Sequence, residues 1–118
     1  MTERDARWNR FITDICPRSL DALSAVQKRA VLCFRYDAEM NSGGFSAYLA
    51  SYPDADPQTL ADALRAVGNE ALAANFEQAA ANGARDCWLA TDRAFYAFSP
   101  SLCDCIRAYV EAHRTEIF

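Results

Sequence analysis

The sequence has one histidine, four glycines and no apolar run of the roughly 18 residues that a membrane span requires. One histidine is too few for the histidine-rich clusters that are typical of many metal sites. The glycines show neither the Rossmann nor the Walker spacing, which excludes nucleotide binding through those loops. Basic residues are also outnumbered, 12 Lys and Arg against 16 Asp and Glu, and the formal net charge is -4. This balance excludes general binding to nucleic acids or to anionic membrane surfaces.

Cysteine usage and the N-terminus indicate the compartment. The five cysteines are an odd number, so they cannot all form disulfides within one chain. The first residues, Met-Thr-Glu-Arg-Asp, lack the basic start and the apolar stretch of a signal peptide. These features predict a cytoplasmic protein with reduced thiols.

Catalytic and metal-binding groups are not apparent in the sequence. Cys103 and Cys105 lie two residues apart on a predicted helix, so their side chains point to opposite faces and cannot share a metal ion. Cys103 and His113 would be roughly 15 Å apart on that helix, too far for a nucleophile and its base. The carboxylates show no obvious pairing. We therefore expect no cofactor, no metal site and no enzymatic activity.

The residues that are present favour an all-α fold. Alanine dominates, runs of β-branched residues are absent, and glycine and proline occur as punctuation. A chain of 118 residues is the length of one ordinary domain and can bury a substantial core. The sequence therefore predicts a single compact helical domain over residues 1–118, with about five to seven helices.

Proline, glycine and capping residues divide the helical pattern into elements. Pro17 ends a first helix that begins near Glu3. Ser19 is predicted to cap a second helix that runs to Asn41, and a short helix follows from Phe45. Further boundaries are predicted at Asp56-Pro57, Gly68-Asn69, Asn82-Gly83 and Ser99-Pro100.

The C-terminal third holds a less regular segment, residues 86–98, and a last helix. That helix carries apolar residues at helical spacing and has His113 near its C-terminal end, where the helix dipole favours a cation. The large apolar residues of the less regular segment are predicted to be buried: Trp88, Leu89, Phe95, Tyr96 and Phe98.

The negative charge is concentrated in the middle of the chain. Residues 1–35 carry seven bases and four acids, a net charge of +3, whereas residues 36–84 carry seven acids and one base, a net charge of -6. The last segment, residues 85–118, is close to neutral at -1. Such asymmetry is typical of an interaction surface, and also of solvated helix faces that bind nothing. The candidate partner-binding residues are Asp37, Glu39, Asp54, Asp56, Asp62, Glu70 and Glu77.

One motif stands out, Glu-Met-Asn-Ser-Gly-Gly-Phe at residues 39–45. Its glycines permit a backbone geometry that side chains would block, so it is predicted to end a long helix and to start another at a sharp angle. The large residues that follow would anchor this corner to the core. A purely structural role and a direct binding role both fit. The residues assigned to the structural motif are Asn41, Gly43, Gly44, Phe45, Tyr48 and, at the end of a later helix, Gly68.

This corner resembles the signature of a family of small, all-helical bacterial domains of largely unassigned function. Members show Glu-Val-Asn-Asn-Gly-Gly-Phe at the corner, then a helix with Ala-Leu-x-x-Ile-Gly, and later an aromatic segment and a helix with Tyr-Ile and a histidine. Ser42 and Ala47 depart from the family pattern of Asn and Gln. Within a similarity that extends from Leu20 to His113, the matching segments are residues 39–45, 63–68, 95–96 and 109–113.

The resemblance implies a non-enzymatic protein-binding module. One member of that family is a DNA-mimic protein, a dimer whose acidic surface occupies the DNA-binding face of a transcriptional regulator. By this resemblance the partner is a basic protein, such as a transcriptional regulator, and the chain could form a homodimer. Two alternatives remain open: a module that binds through an apolar groove without DNA mimicry, and a small enzyme with a pocket of converging carboxylates or with His113.

Overall fold

The computed structural model describes residues 1–118, and every regular element in it is helical. No helix has both the length and the apolar character needed to cross a membrane. Short π-helical and 3-10 turns connect some of the helices. The α-helices are α1 (Glu3–Arg10), α2 (Ala25–Ser51), α3 (Pro57–Val67), α4 (Glu70–Asn82), α5 (Leu89–Ala97), α6 (Leu102–Ala112) and α7 (Arg114–Ile117). The predicted all-α class is confirmed.

The N-terminal helix begins at a capping box. The side chain of Thr2 accepts a hydrogen bond from the Asp5 amide, and the Asp5 carboxylate accepts one from the Thr2 amide. Helix α1 then continues as a π-helical turn over residues 11–15, close to the predicted end before Pro17. Arg7 forms an ion pair with Glu111, which ties α1 to α6.

The predicted cap of the second helix, Ser19, is wrong. Residues 20–22 form a 3-10 turn, and α2 begins after Ser24. The Ser24 hydroxyl accepts from the Gln27 amide at 3.2 Å, and the Gln27 side chain accepts from the Ser24 amide at 2.9 Å. This reciprocal pair satisfies two donors, whereas Ser19 makes no such bond, so the helix starts at Ser24.

Helix α2 is the centre of the fold and is divided at Gly44. Its first segment, residues 25–43, and its second segment, residues 45–51, meet at a kink where Gly44 has φ 77° and ψ -166°. The predicted corner is therefore confirmed. Helix α2 packs against α3, α5, α6 and α7.

Helices α3 and α4 form a hairpin with the predicted boundaries. The Asp56 carboxylate accepts from the Thr59 amide at 3.0 Å, and Pro57 occupies the first helical position. Gly68 ends α3, and the side chain of Asn69 caps α4 by accepting from the Leu72 amide. These local signals are strong enough to set the ends without help from the rest of the chain.

The core is one hydrophobic cluster to which every long helix except α1 contributes. Its centre is Tyr36, whose ring lies between 5.1 and 6.3 Å from four other aromatic rings. The Tyr36 hydroxyl is buried and has no hydrogen-bond partner. The four surrounding aromatic residues are Phe45, Tyr48, Phe76 and Phe95.

Two predictions for the C-terminal third are wrong. Leu89 and Tyr96 are 51% and 58% exposed, because they lie on the outer face of α5. The last long helix is capped by Ser101, whose hydroxyl accepts from the Asp104 amide at 3.1 Å, and not by Ser99. His113 ends α6 as expected, and its Nδ1 lies 3.4 Å from a carboxylate oxygen of Glu116.

Candidate functional site

The backbone conformation and the lack of space at the corner require glycine at position 44. Its φ and ψ values fall in a region that only glycine populates readily. A Cβ atom there would also lie 2.4 Å from Oδ2 of Asp92, which is closer than any normal contact. Gly43, by contrast, remains within the helical segment. Backbone strain therefore requires glycine only at Gly44, although a Cβ atom at Gly43 would also be crowded, 2.9 Å from Cβ of Ala47.

Helix α5 forms hydrogen bonds with both segments of α2, one on each side of the kink at Gly44. The carboxylate of Asp92 accepts a hydrogen bond from the Phe45 amide at 2.9 Å, at the start of the second segment. The hydroxyl of Tyr96 donates to the carbonyl oxygen of Met40, near the end of the first segment. Asn41 donates to the Asp37 carbonyl oxygen at 2.8 Å. The corner is thus an internally bonded structural unit, because helix ends otherwise leave these groups unpaired.

Three of the candidate acids surround the single base of the middle segment. Arg65 contacts Glu70 at 2.8 Å and Asp62 at 3.7 Å, and it also forms an ion pair with Glu77. Its hydrogen bonds hold the pKa of the Glu70 carboxyl below the usual value. This cluster joins α3 to α4 and retains an excess of negative charge.

Two further acids lie at the start of the same hairpin. Asp54 is exposed and forms neither a hydrogen bond nor an ion pair through its side chain. Asp56 is also exposed, and its Oδ2 accepts from both the amide and the hydroxyl of Thr59. These hydrogen bonds lower the pKa of Asp56, so it is ionised at neutral pH. The α3–α4 hairpin and the loop before it therefore carry five acids and one base; we call this the acidic hairpin, defined by Asp54, Asp56, Asp62, Glu70 and Glu77.

The remaining two candidates lie away from the acidic hairpin, on α2. Asp37 is only 8% exposed, and burial raises the pKa of its carboxyl. Glu39 is half-buried on the same helix. The structure therefore brings five of the seven candidate acids to one hairpin and leaves two outside it. Basic residues of α2 also approach the hairpin: Lys28 and Arg29 share a shallow groove with Asp62, and Arg35 shares another with Ala55.

An apolar groove of about 200 Å³ opens between the second segment of α2, the loop before α3, and the end of α4. Its rim includes the small side chains of Ala55, Ala80 and Ala84, which leave the space open. We call it the aromatic groove, after the rings that line it: Phe45, Tyr48, Tyr52, Phe76 and Trp88.

Sequence reasoning missed Asp92 and overestimated the burial of Trp88. Asp92 was not singled out because its partner, the Phe45 amide, is 47 residues away in the chain. Trp88 was expected to be buried, but it is half-buried and forms a wall of the aromatic groove. No local signal reveals the role of Asp92; the large aromatic content of residues 86–98 was the available signal for Trp88.

No group of three or more His, Cys, Asp or Glu side chains is placed to hold a metal ion. All five cysteines are free thiols. Burial raises the pKa of Cys16 to about 12 and also raises the pKa values of Cys33, Cys103 and Cys105. Since the thiolate is the reactive form, these four cysteines are poor nucleophiles.

Comparison with known proteins places the chain in a family. No curated protein and no solved structure matches it. One family model does match, that of the DMP19-like proteins, over residues 21–113, which include α2 with its corner, the acidic hairpin and all of α6. Because the match covers most of the sequence, the chain belongs to the DMP19-like protein family.

Proposed function

We propose that this protein is a non-enzymatic binding module that uses the acidic hairpin to engage a basic protein, such as a DNA-binding transcriptional regulator. The observation that carries the proposal is that five exposed or partly exposed acids lie on one hairpin and the loop before it, where the only base is already paired. Membership of the DMP19-like family is compatible with this role, since the resemblance described above implies a DNA mimic. A homodimer would extend the acidic surface and belongs to the same proposal.

The charge arrangement suits fast association more than tight packing. Carboxylates on an exposed surface attract a basic partner over roughly a Debye length, about 10 Å at 0.1 M salt. Complementary charge mainly raises the association rate, and salt reduces it. We expect the association rate to fall at least about tenfold between low and high salt, for instance from about 50 to 500 mM.

The test compares two charge-reversal variants with the same net charge. Asp54→Lys combined with Glu70→Lys alters the acidic hairpin, and Asp14→Lys combined with Asp21→Lys alters exposed acids in the basic N-terminal third. Basic proteins recovered at low salt by the wild type should be retained by the second variant and lost by the first. Asp56 is left unchanged because its carboxylate caps α3.

Equal recovery by the wild type and the hairpin variant would contradict the proposal, as would a partner held equally well at high salt. The second outcome would favour a module that binds through the aromatic groove alone. Enzymatic activity would instead require groups that converge on a pocket, and the lining of the aromatic groove contains neither a carboxylate nor a histidine.

A further inference from the structure

The aromatic groove has the size and lining to hold one large side chain. Its volume is about 200 Å³, and an apolar cavity of about 150 Å³ already holds a benzene molecule. The ring of Phe45 lies 5.7 Å from that of Trp88 and 5.8 Å from that of Phe76, both tilted. Phe45 and Phe76 are buried and form the base of the groove, whereas the half-buried rings of Tyr52 and Trp88 are partly exposed. Such surroundings favour an aromatic guest in a tilted or edge-to-face orientation.

The wall formed by Trp88 depends on an unusual backbone. Cys87 and Trp88 are consecutive residues in the left-handed region, with φ values of 54° and 60°, where bulky residues are uncommon. This backbone brings the indole against Gly83, where a Cβ atom would lie 2.2 Å from Cδ1 of Trp88. The indole Nε1 donates to the Ala79 carbonyl oxygen at 3.2 Å. Its polar edge is therefore satisfied, and its ring remains available to the groove.

Negative charge lies along the edge of this apolar space. Pro53, Ala55 and Pro57 line the groove, so the exposed Asp54 and Asp56 lie between lining residues on the same loop. A second depression shares Phe76, Ala80 and Pro57 with the groove, and Glu77 lines it. Bases also lie near the groove: Arg35 stacks on the ring of Tyr52 at 5.8 Å, and Arg85 follows the lining residue Ala84 in the chain.

We propose that the aromatic groove is the anchor pocket for the partner, and that it takes one aromatic side chain from a segment in which arginine or lysine flanks that residue. The aromatic ring would fill the groove, and the flanking cations would meet the exposed carboxylates of Asp54 and Asp56. This inference rests on the proposed function and adds to it which residues the bound segment of the partner carries, an aromatic residue flanked by arginine or lysine. Aromatic and arginine residues together are typical of the residues that dominate binding energy at protein interfaces.

The experiment uses three synthetic pentapeptides, acetylated and amidated at their ends. The probe is Arg-Arg-Trp-Arg-Arg; the second peptide replaces Trp by Ala, and the third replaces every Arg by Glu. Backbone amide and indole NMR shifts of the full chain report where each peptide binds and how tightly. We expect the probe to shift the signals of Leu49, Ala55, Ala84 and the Trp88 indole, and to bind at least about tenfold more tightly than either of the other peptides.

A matched pair of variants tests whether the groove itself is the site. Ala80→Leu places a larger side chain at the rim of the groove, and Ala74→Leu makes the same change at an exposed position of α4 outside it. Leucine is a good helix former, so both variants should fold. The probe should bind Ala80→Leu at least about tenfold more weakly and Ala74→Leu with unchanged affinity.

The two proposals fail in different ways. If the Trp and Ala peptides bind equally tightly, with shifts on the acidic hairpin, the anchor pocket is wrong and the proposed function stands. If Ala80→Leu binds the probe as tightly as the wild type, the anchor pocket is also wrong. If the Glu peptide binds as tightly as the probe, the basic character of the partner is wrong, which overturns both proposals.

Discussion

Replacing Gly44 by alanine tests whether the corner is as constrained as its geometry indicates. The alanine would be held in a backbone conformation that only glycine adopts readily, at a cost of about 1–3 kcal/mol. Its Cβ would also displace the Asp92 carboxylate, so the Phe45 amide would lose its acceptor, at a cost of about 1–3 kcal/mol. We expect Gly44→Ala to lower the free energy of unfolding by about 4 kcal/mol in total.

This loss is a large part of the stability of a typical domain of this length, about 5–15 kcal/mol. Urea denaturation followed by circular dichroism gives the change in free energy directly, and the midpoint of thermal unfolding should fall by about 15 °C. Ser42→Ala is the matched control, because Ser42 is exposed on the adjacent helical turn and makes no side-chain hydrogen bond. It should change stability by less than about 0.5 kcal/mol.

A double-mutant cycle separates the clash from the backbone strain. Asp92→Ala alone removes the acceptor of the Phe45 amide and should cost about 1–2 kcal/mol. Once the carboxylate is absent, Gly44→Ala is opposed only by backbone strain. The free energy of unfolding of the double variant should therefore fall by about 1–2 kcal/mol less than the sum of the two single losses. A loss below about 1 kcal/mol for Gly44→Ala, or additive effects in the cycle, would refute the account of the corner.

Three further predictions concern single side chains. Tyr36→Phe removes a buried hydroxyl that has no hydrogen-bond partner, so urea denaturation should show a gain of about 1 kcal/mol; a loss of similar size would contradict this. Asp37→Asn should stabilise the fold at neutral pH, because burial raises the pKa of Asp37 and the wild type loses stability as pH rises through this raised pKa. The difference in free energy of unfolding between the variant and the wild type should vanish below pH 3.8, the ordinary pKa of the carboxyl. Arg65→Ala should return the pKa of Glu70 towards 4.5, as measured by carboxyl NMR titration. It should also remove the stabilisation that the ion pair gives to the folded wild type, which is present above pH 4.5 and is lost as pH falls through the lowered pKa. An unchanged pKa of Glu70 in that variant would show that the ion pair does not persist in solution.

The helix ends that the sequence predicted correctly are those set by adjacent residues. Asp56 and Pro57 start α3, and Gly68 ends it, because a cap, a proline and a glycine act within one turn. Ser19 was a wrong choice for a related reason: two serines precede α2, and only Ser24 has a glutamine, Gln27, at the position that completes a capping box. Local capping signals were sufficient to locate a helix end only where a single capping residue was available.

The sites were less predictable because they depend on contacts between distant parts of the chain. The composition of the middle segment indicated an acidic surface, but it could not separate Asp37, which is buried against the core, from Asp54, which is fully available to a partner. The aromatic groove joins α2, the end of α4 and Trp88, segments that no spacing rule connects. Nor could the sequence show that Asp92 bonds the corner.

The bonding of the corner by α5 also has a consequence for the shape of the groove. Phe45 belongs to both: its amide is held by Asp92, and its ring lines the groove. Trp88 lies one helical turn before Asp92, and its carbonyl oxygen accepts from the Asp92 amide at 3.0 Å. Phe45 is therefore held by the carboxylate of Asp92, and Trp88 is held by the backbone amide of the same residue. A substitution at Asp92 should change the shape of the groove, although Asp92 does not line it.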